Sequence, residues 1–276
     1  MNNYFSFLEI AKKDMEAARV LFSRKLYPHS IFYLEQAVEK GVKSFGLWVK
    51  ILTEKECKDK ELAGHDAWRI FSTLIERGIK RVENELNILQ DKHPAIKQTT
   101  FLEKLQKQIS ELEHESKNIK EEIKDITKNV ANIVYSDQKI QELINKINRF
   151  RGKLPRGLLK FSGEALRTYK EFYRLITLDL GKIKQLSPTD VKKIKDSSIL
   201  FFKLLYSVTC LLYLSMLMSP HAVKSRYPDK NWNPLEEYNE KMPLVKRLKF
   251  FLNAAEEALD HLSEAYNKAA SIEVVF

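Results

Sequence analysis

Residues 100–149 place apolar side chains on a single seven-residue register, and this repeat constrains the fold more than any other feature of the chain. Leu102, Leu105, Ile109, Leu112, Ile119, Ile123, Ile126, Val130, Ile133, Ile140, Ile144 and Ile147 fill its seam positions, with Ser116 and Asp137 as the polar exceptions. Apolar residues alternating three and four apart keep one stripe facing a partner helix, which predicts a coiled coil. Unbroken, such a helix would span about 75 Å. The expected interruption is Tyr135-Ser136-Asp137.

A seam needs a cover. RFRGKLPRG, residues 149–157, reads as a turn, because Gly152, Pro155 and Gly157 limit helix continuation. Residues 158–185 follow with a second stripe of Leu158, Phe161, Ala165, Tyr169, Phe172, Ile176 and Ile183. The economical arrangement is an antiparallel coiled-coil arm. Its return helix is the shorter one, so a bend, the third helix or a second protomer must cover the remainder. Arg149, Arg151, Lys153, Arg156 and Lys160 would gather at the arm tip as a basic patch, suited to phosphates, to an acidic protein surface or simply to solvent.

The rest of the chain is also helical in pattern. Only 8 Gly and 8 Pro among 276 residues leave few turns, and 44% apolar residues with 15 Phe and 11 Tyr supply a core. An all-α fold is the expectation. A first helix over 4–25 has its stripe at Phe7, Ile10, Ala11, Met15, Leu21 and Phe22. Tyr27-Pro28 ends it and starts a second helix, since proline suits a first turn. This second helix runs to about residue 52, burying Ile31, Leu34, Ala37, Val38, Val42, Phe45, Val49 and Leu52. EKECKDKELAG reads as a loop, and His65-Asp66 opens a third helix reaching about Leu89. Ser187-Pro188 starts another helix that ends at Met218. Residues 243–270 form the last one, with Leu244, Leu248, Phe251, Leu252, Ala255, Leu259, Leu262 and Tyr266 on its stripe.

Residues 197–218 are apolar enough to raise a membrane span, which needs about 20 such residues. Lys203, Ser207, Cys210 and Ser215 interrupt the run, and a buried central helix is the expectation. Cys57 and Cys210 are too few and too isolated for a disulfide framework or a metal spacing. So few isolated cysteines fit a reducing cytoplasm, the location expected, and the charged N-terminal turns show no signal-peptide core. A net charge of +10 favours acidic partners without specifying one.

AKKDMEAARVLFSRKLYPHSIFYLEQAVEKGVKSF, then GHD, then an apolar helix closing in RYPD, then an Ala-rich last helix: this order resembles the HEPN family (higher eukaryotes and prokaryotes nucleotide-binding). The resemblance implies an up-and-down helical bundle formed by residues 1–91 and 190–276, with 92–189 inserted as the arm. It also implies a homodimer, an RNA or nucleotide ligand, and a minimal nucleotidyltransferase as a possible protein partner. Many members are ribonucleases using Arg, four to six residues, then His. After Arg226 that window holds Asn231, Trp232 and Asn233, so the usual signature is missing from its place. The same spacing occurs at Arg24 and His29, in a turn where the family does not use it. The alternative to ligand binding is a non-enzymatic assembly protein whose arm holds a protein partner.

Arg226 admits two roles, an anchor paired with a carboxylate such as Glu39 or a ligand contact. Asp229 would cap turn amides. Gln36, Glu39, Lys40 and Lys43 share one helix face by their spacing, so Lys43 and Arg226 would lead any phosphate-binding cleft. His65-Asp66 reads as a helix entry, since further ligands for a metal ion are missing. No phosphate-loop or dinucleotide-binding glycine pattern occurs, and no metal or cofactor is expected.

Overall fold

The computed structural model describes residues 3–59, 67–92, 136–151 and 188–271, with positions 110, 114, 117 and 121 besides. These residues form α1 (Asn3–Ser23), α2 (Tyr27–Trp48), α3 (Glu54–Lys58), α4 (Ala67–Lys92), α5 (Asp137–Arg151), α6 (Pro188–Met218), α7 (His221–Lys224), α8 (Pro234–Glu237) and α9 (Pro243–Ser271). Among the described residues there is no strand, only one isolated bridge between Asp229 and Trp232. The fold is all-α, as the sequence implies.

The α2 helix occupies the centre, packed against α1, α4, α6, α7, α8 and α9. Pro28 sits in its first turn, and its C-terminus comes earlier than residue 52. Lys50 adopts φ 56° while its N–H donates to the Leu47 carbonyl and that of Ile51 to Gly46. This paired closure is a Schellman ending, and it turns the chain back over α2 so that Leu52 is buried. Gly46 makes room for the return, because a Cβ there would lie 2.5 Å from Leu52 Cδ1. The first helix ends the same way through Lys25, φ 60°, with Leu26 N–H on the Leu21 carbonyl.

Two local expectations change. Ile10 is half exposed, and Leu8 with Ala11, Met15 and Ala18 forms the buried stripe of α1. Within the expected EKECKDKELAG loop, residues 54–58 are helical. Thr53 accepts from the Glu56 N–H while the Glu56 carboxylate takes the Thr53 N–H, a capping box that pays for this short turn.

The α6 helix is embedded against α2, α4, α5 and α9. Its buried Ser207 and Ser215 hydroxyls donate to the Lys203 and Leu212 carbonyls, and Lys203 pairs with Glu264 of α9. The polar interruptions of the apolar run are thus satisfied inside a protein core. Among the described residues no helix is long and apolar enough to cross a membrane. All eight stripe residues expected for the last helix are buried in α9. Its Tyr266 hydroxyl lies 3.1 Å from that of Ser44, which donates to the Tyr4 carbonyl and joins three helices.

Most of the heptad segment falls outside the described residues. Its end is visible as α5, which begins where Ser136 caps the Lys139 N–H. Ile140, Leu143, Ile144 and Ile147 enter the common core, and α5 packs against α6 and α9. The seam at this end is therefore covered by the bundle itself.

Candidate functional site

The α2 face chosen from its spacing is present, but it faces inward along most of its length. Lys40 donates to Asp14 of α1 at 2.7 Å and to Gln36 Oε1 at 3.0 Å. Gln36 donates to Glu35 Oε2 at 2.8 Å, and Lys43 pairs with Glu39. The side chains of Lys43 and Glu39 retain 9% and 6% of their exposure. Lys43, expected to lead a phosphate cleft, is thus neutralised and covered.

Three carboxylates meet two ammonium groups in this seam. Asp14 has Lys40 and Glu39 has Lys43, which leaves Glu35 without an ammonium of its own. It is fully buried, and Oε1 has no hydrogen-bond partner among the described residues. Burial first, then the neighbouring Glu39 charge, pushes its pKa up to about 8, against the opposing influence of Gln36, Lys40 and Arg226. Glu35 is consequently a neutral acid at pH 7. Helical spacing does not single out Glu35, because it stands off the Gln36–Glu39–Lys43 line. The available signal was that α2 carries apolar residues on nearly every face, which marks a central helix and buries its charges with it.

Arg226 stands where this face reaches the surface. Its Nε donates to the Ala222 carbonyl at 2.9 Å. Its guanidinium carbon lies 4.8 Å from the Phe32 ring centre of α2 and 5.2 Å from that of Tyr227. No described residue hydrogen-bonds either terminal nitrogen. The anchor is therefore a carbonyl and two rings, in place of the expected carboxylate pair, while Glu39 engages Lys43. Two donors pinned in this way are ready for an oxyanion.

The RYPD loop is built to hold that arginine. The Asp229 carboxylate accepts from the Lys230 N–H at 2.7 Å, the turn role expected for it, and lies 3.6 Å from Lys224 Nζ. Asp229 and Trp232 exchange backbone hydrogen bonds of 2.8 and 3.1 Å, closing a tight hairpin. The indole of Trp232 donates to the Lys224 carbonyl and packs edge-on against Tyr238. The Tyr238 hydroxyl meets His221 Nδ1 at 2.7 Å in the core, where burial lowers the histidine pKa to about 3. Each contact ties the loop to the bundle and fixes the exit direction of Arg226.

Arg24 lies in the α1–α2 turn and His29 in the first turn of α2, both exposed, and no hydrogen bond joins them. Arg151, expected at a projecting tip, lies against α9, paired with Glu257 at 2.8 Å. The reason is the apolar face of α5, which draws its helix onto the bundle. The Arg149 side chain, Lys153, Arg156 and Lys160 lie outside the described residues, as do His65 and Asp66. Among the described residues no group of His, Cys, Asp and Glu is arranged to hold a metal ion.

The HEPN domain family model matches residues 5–93, the stretch holding α1 to α4. This part of the chain is a HEPN domain. No curated protein and no solved structure matches the chain.

Proposed function

We propose that this protein binds RNA or a nucleotide at the surface where Arg226 emerges between α2 and the RYPD loop, without the usual family ribonuclease chemistry. The observation that carries the reading is Arg226 itself, fixed through Nε and two aromatic rings, with no described residue hydrogen-bonded to its terminal nitrogens. The HEPN match over residues 5–93 supports the ligand class, and the net charge of +10 favours a phosphate-rich one. Lys43, Gln36, Glu39 and Lys40 support this site from beneath, by holding the α2 face in place. Residues 1–91 and 190–276 form one discontinuous bundle in this proposal, dimeric in solution, with 92–189 inserted and its α5 end folded back onto the bundle.

The test is RNA affinity in the purified protein, with Arg226→Ala as the diagnostic variant. Weaker binding at an unchanged melting temperature supports the proposal. A lower melting temperature with unchanged affinity makes Arg226 an anchor alone and removes the site. Incubation with RNA, with and without divalent metal, should leave it intact; cleavage that depends on Arg24 and His29 would overturn the non-hydrolytic part. Exposed Val223, Tyr227 and Leu235 around the same loop favour a second reading, in which the loop binds a protein such as a minimal nucleotidyltransferase.

A further inference from the structure

We infer that the exposed ring of Tyr227 is a stacking platform for one unpaired base, so that the Arg226 surface takes single-stranded RNA in preference to a duplex. This rests on the proposal that the surface binds RNA or a nucleotide, and it adds which structural form of the ligand is accepted.

Tyr227 retains 58% of its exposure although it follows a half-buried arginine and precedes a proline. Val223 and Leu235, on either side of it in the chain, are exposed as well, so the ring does not stand as a lone apolar residue. This ring is also held in place. Its backbone N–H donates to the Val223 carbonyl at 3.2 Å, and Arg226 lies over one face of the ring, 5.2 Å from its centre. The same guanidinium rests on Phe32 of the central helix, so Tyr227 is tied to the rigid part of the fold through Arg226. Because the arginine spends Nε on Ala222, its remaining donors lie beside the ring.

That arrangement matches the two halves of a nucleotide. A base has a flat face for the tyrosine, and its phosphate carries oxyanions for the arginine terminal nitrogens. Only an unstacked base can offer its face, because each face in a duplex interior is occupied by its neighbours. Local charge alone would not select a single strand: Lys224, Arg226 and Lys230 are set against Asp229, Glu236 and Glu237 along this loop. The selectivity comes from the ring, and phosphate attraction from the net positive chain is shared by both forms.

The experiment compares a single-stranded ten-nucleotide RNA, its duplex, and the same strand with one abasic position scanned along it, binding wild type, Tyr227→Phe and Tyr227→Ala. Single strand should bind more tightly than duplex. Tyr227→Ala should weaken single-strand binding about 5- to 150-fold while Tyr227→Phe retains it. One abasic position should cost wild type a similar factor and cost Tyr227→Ala almost nothing, because the lost partner is the same. Equal binding of duplex and single strand, unaffected by Tyr227→Ala, overturns the stacking platform and leaves RNA binding standing. No binding of either form overturns both. Light scattering on the same variants covers the remaining alternative: a change of assembly mass in Tyr227→Ala places the ring in a protein interface and overturns the inference.

Discussion

The central helix α2 and the last helix α9 are both deeply buried, yet they are held by different forces. The α9 helix follows one rule: Leu244, Leu248, Phe251, Leu252, Ala255, Leu259, Leu262 and Tyr266 turn inward, and polar side chains turn outward. Burying a leucine or phenylalanine of this kind stabilises by about 1.5–3 kcal/mol, with no partner required. The α2 helix buries Ser30, Glu35, Glu39, Lys43 and Ser44 among its apolar residues. Each buried charge there depends on a particular neighbour. Position in the bundle makes the difference, since a helix surrounded on several sides has no outward face on which to place its charges.

The largest expected effect breaks that contrast. Lys43→Ala should destabilise by about 3–5 kcal/mol, because it leaves Glu39 charged, covered and adjacent to Glu35. Replacing both partners, Glu39→Leu with Lys43→Met, should recover most of the loss, since no charge is then stranded. Thermal melting of the two variants checks this. On α9, Leu259→Ala should cost about 2–5 kcal/mol through the cavity it leaves, and no second substitution at a polar position should repair it. Failure of the double α2 variant to recover would mean that the pair supplies positive stability and the two helices are alike.

The pH dependence is next in size. The folded pKa of Glu35, about 8, lies above its unfolded value, so the folded chain keeps a proton that the unfolded chain releases. The stability this group contributes is complete below about pH 4.5 and is lost as pH rises towards 8. The opposite holds for His221, whose folded pKa of about 3 makes stability fall as pH drops below about 6.5. Between pH 6.5 and 8 Glu35 is the one of the two that acts, the loss having already reached roughly 3 kcal/mol at pH 7 relative to pH 4.5. Glu35→Gln should therefore raise the melting temperature at pH 8 and flatten its decline over that interval. An unchanged pH profile would place the surplus charge of the seam elsewhere.

The contrast also explains what could be read in the sequence. Apolar patterning located α9 and the second half of α6, because burial leaves a direct trace in sequence, while Pro28 marked the start of α2. The same patterning put Ile140, Ile144 and Ile147 on one apolar face, which is buried, but it could not name the covering surface, which is α6 and α9 at that end. Spacing grouped Gln36, Glu39, Lys40 and Lys43 on one face without revealing that the face is covered, since periodicity gives neighbours along a helix and not what lies across from it. Arg226 was identified through the RYPD resemblance. Its anchor on Phe32 joins residues nearly two hundred positions apart, a contact that no local pattern encodes. The short α3 does carry a sequence signal: Thr53 followed three residues later by Glu56 is a helix-start signature.

The smallest expected effect sharpens the comparison at the end of α2. Lys50 holds the left-handed position of the Schellman turn, φ 56°, where a side chain carries a steric cost that glycine avoids. The turn is what brings Ile51 and Leu52 back over Gly46, and its two carbonyl closures do not use the lysine side chain. Lys50→Gly should therefore stabilise the protein by about 0.5–1 kcal/mol, less whatever the added freedom of the unfolded chain removes. Lys50→Ala should do much less, because alanine relieves none of the left-handed strain. Urea unfolding with an unchanged slope would register both. If glycine proved neutral or harmful, the end of α2 would draw on the Lys50 side chain as its middle draws on Lys40 and Lys43, and polar partnership would extend along the whole helix.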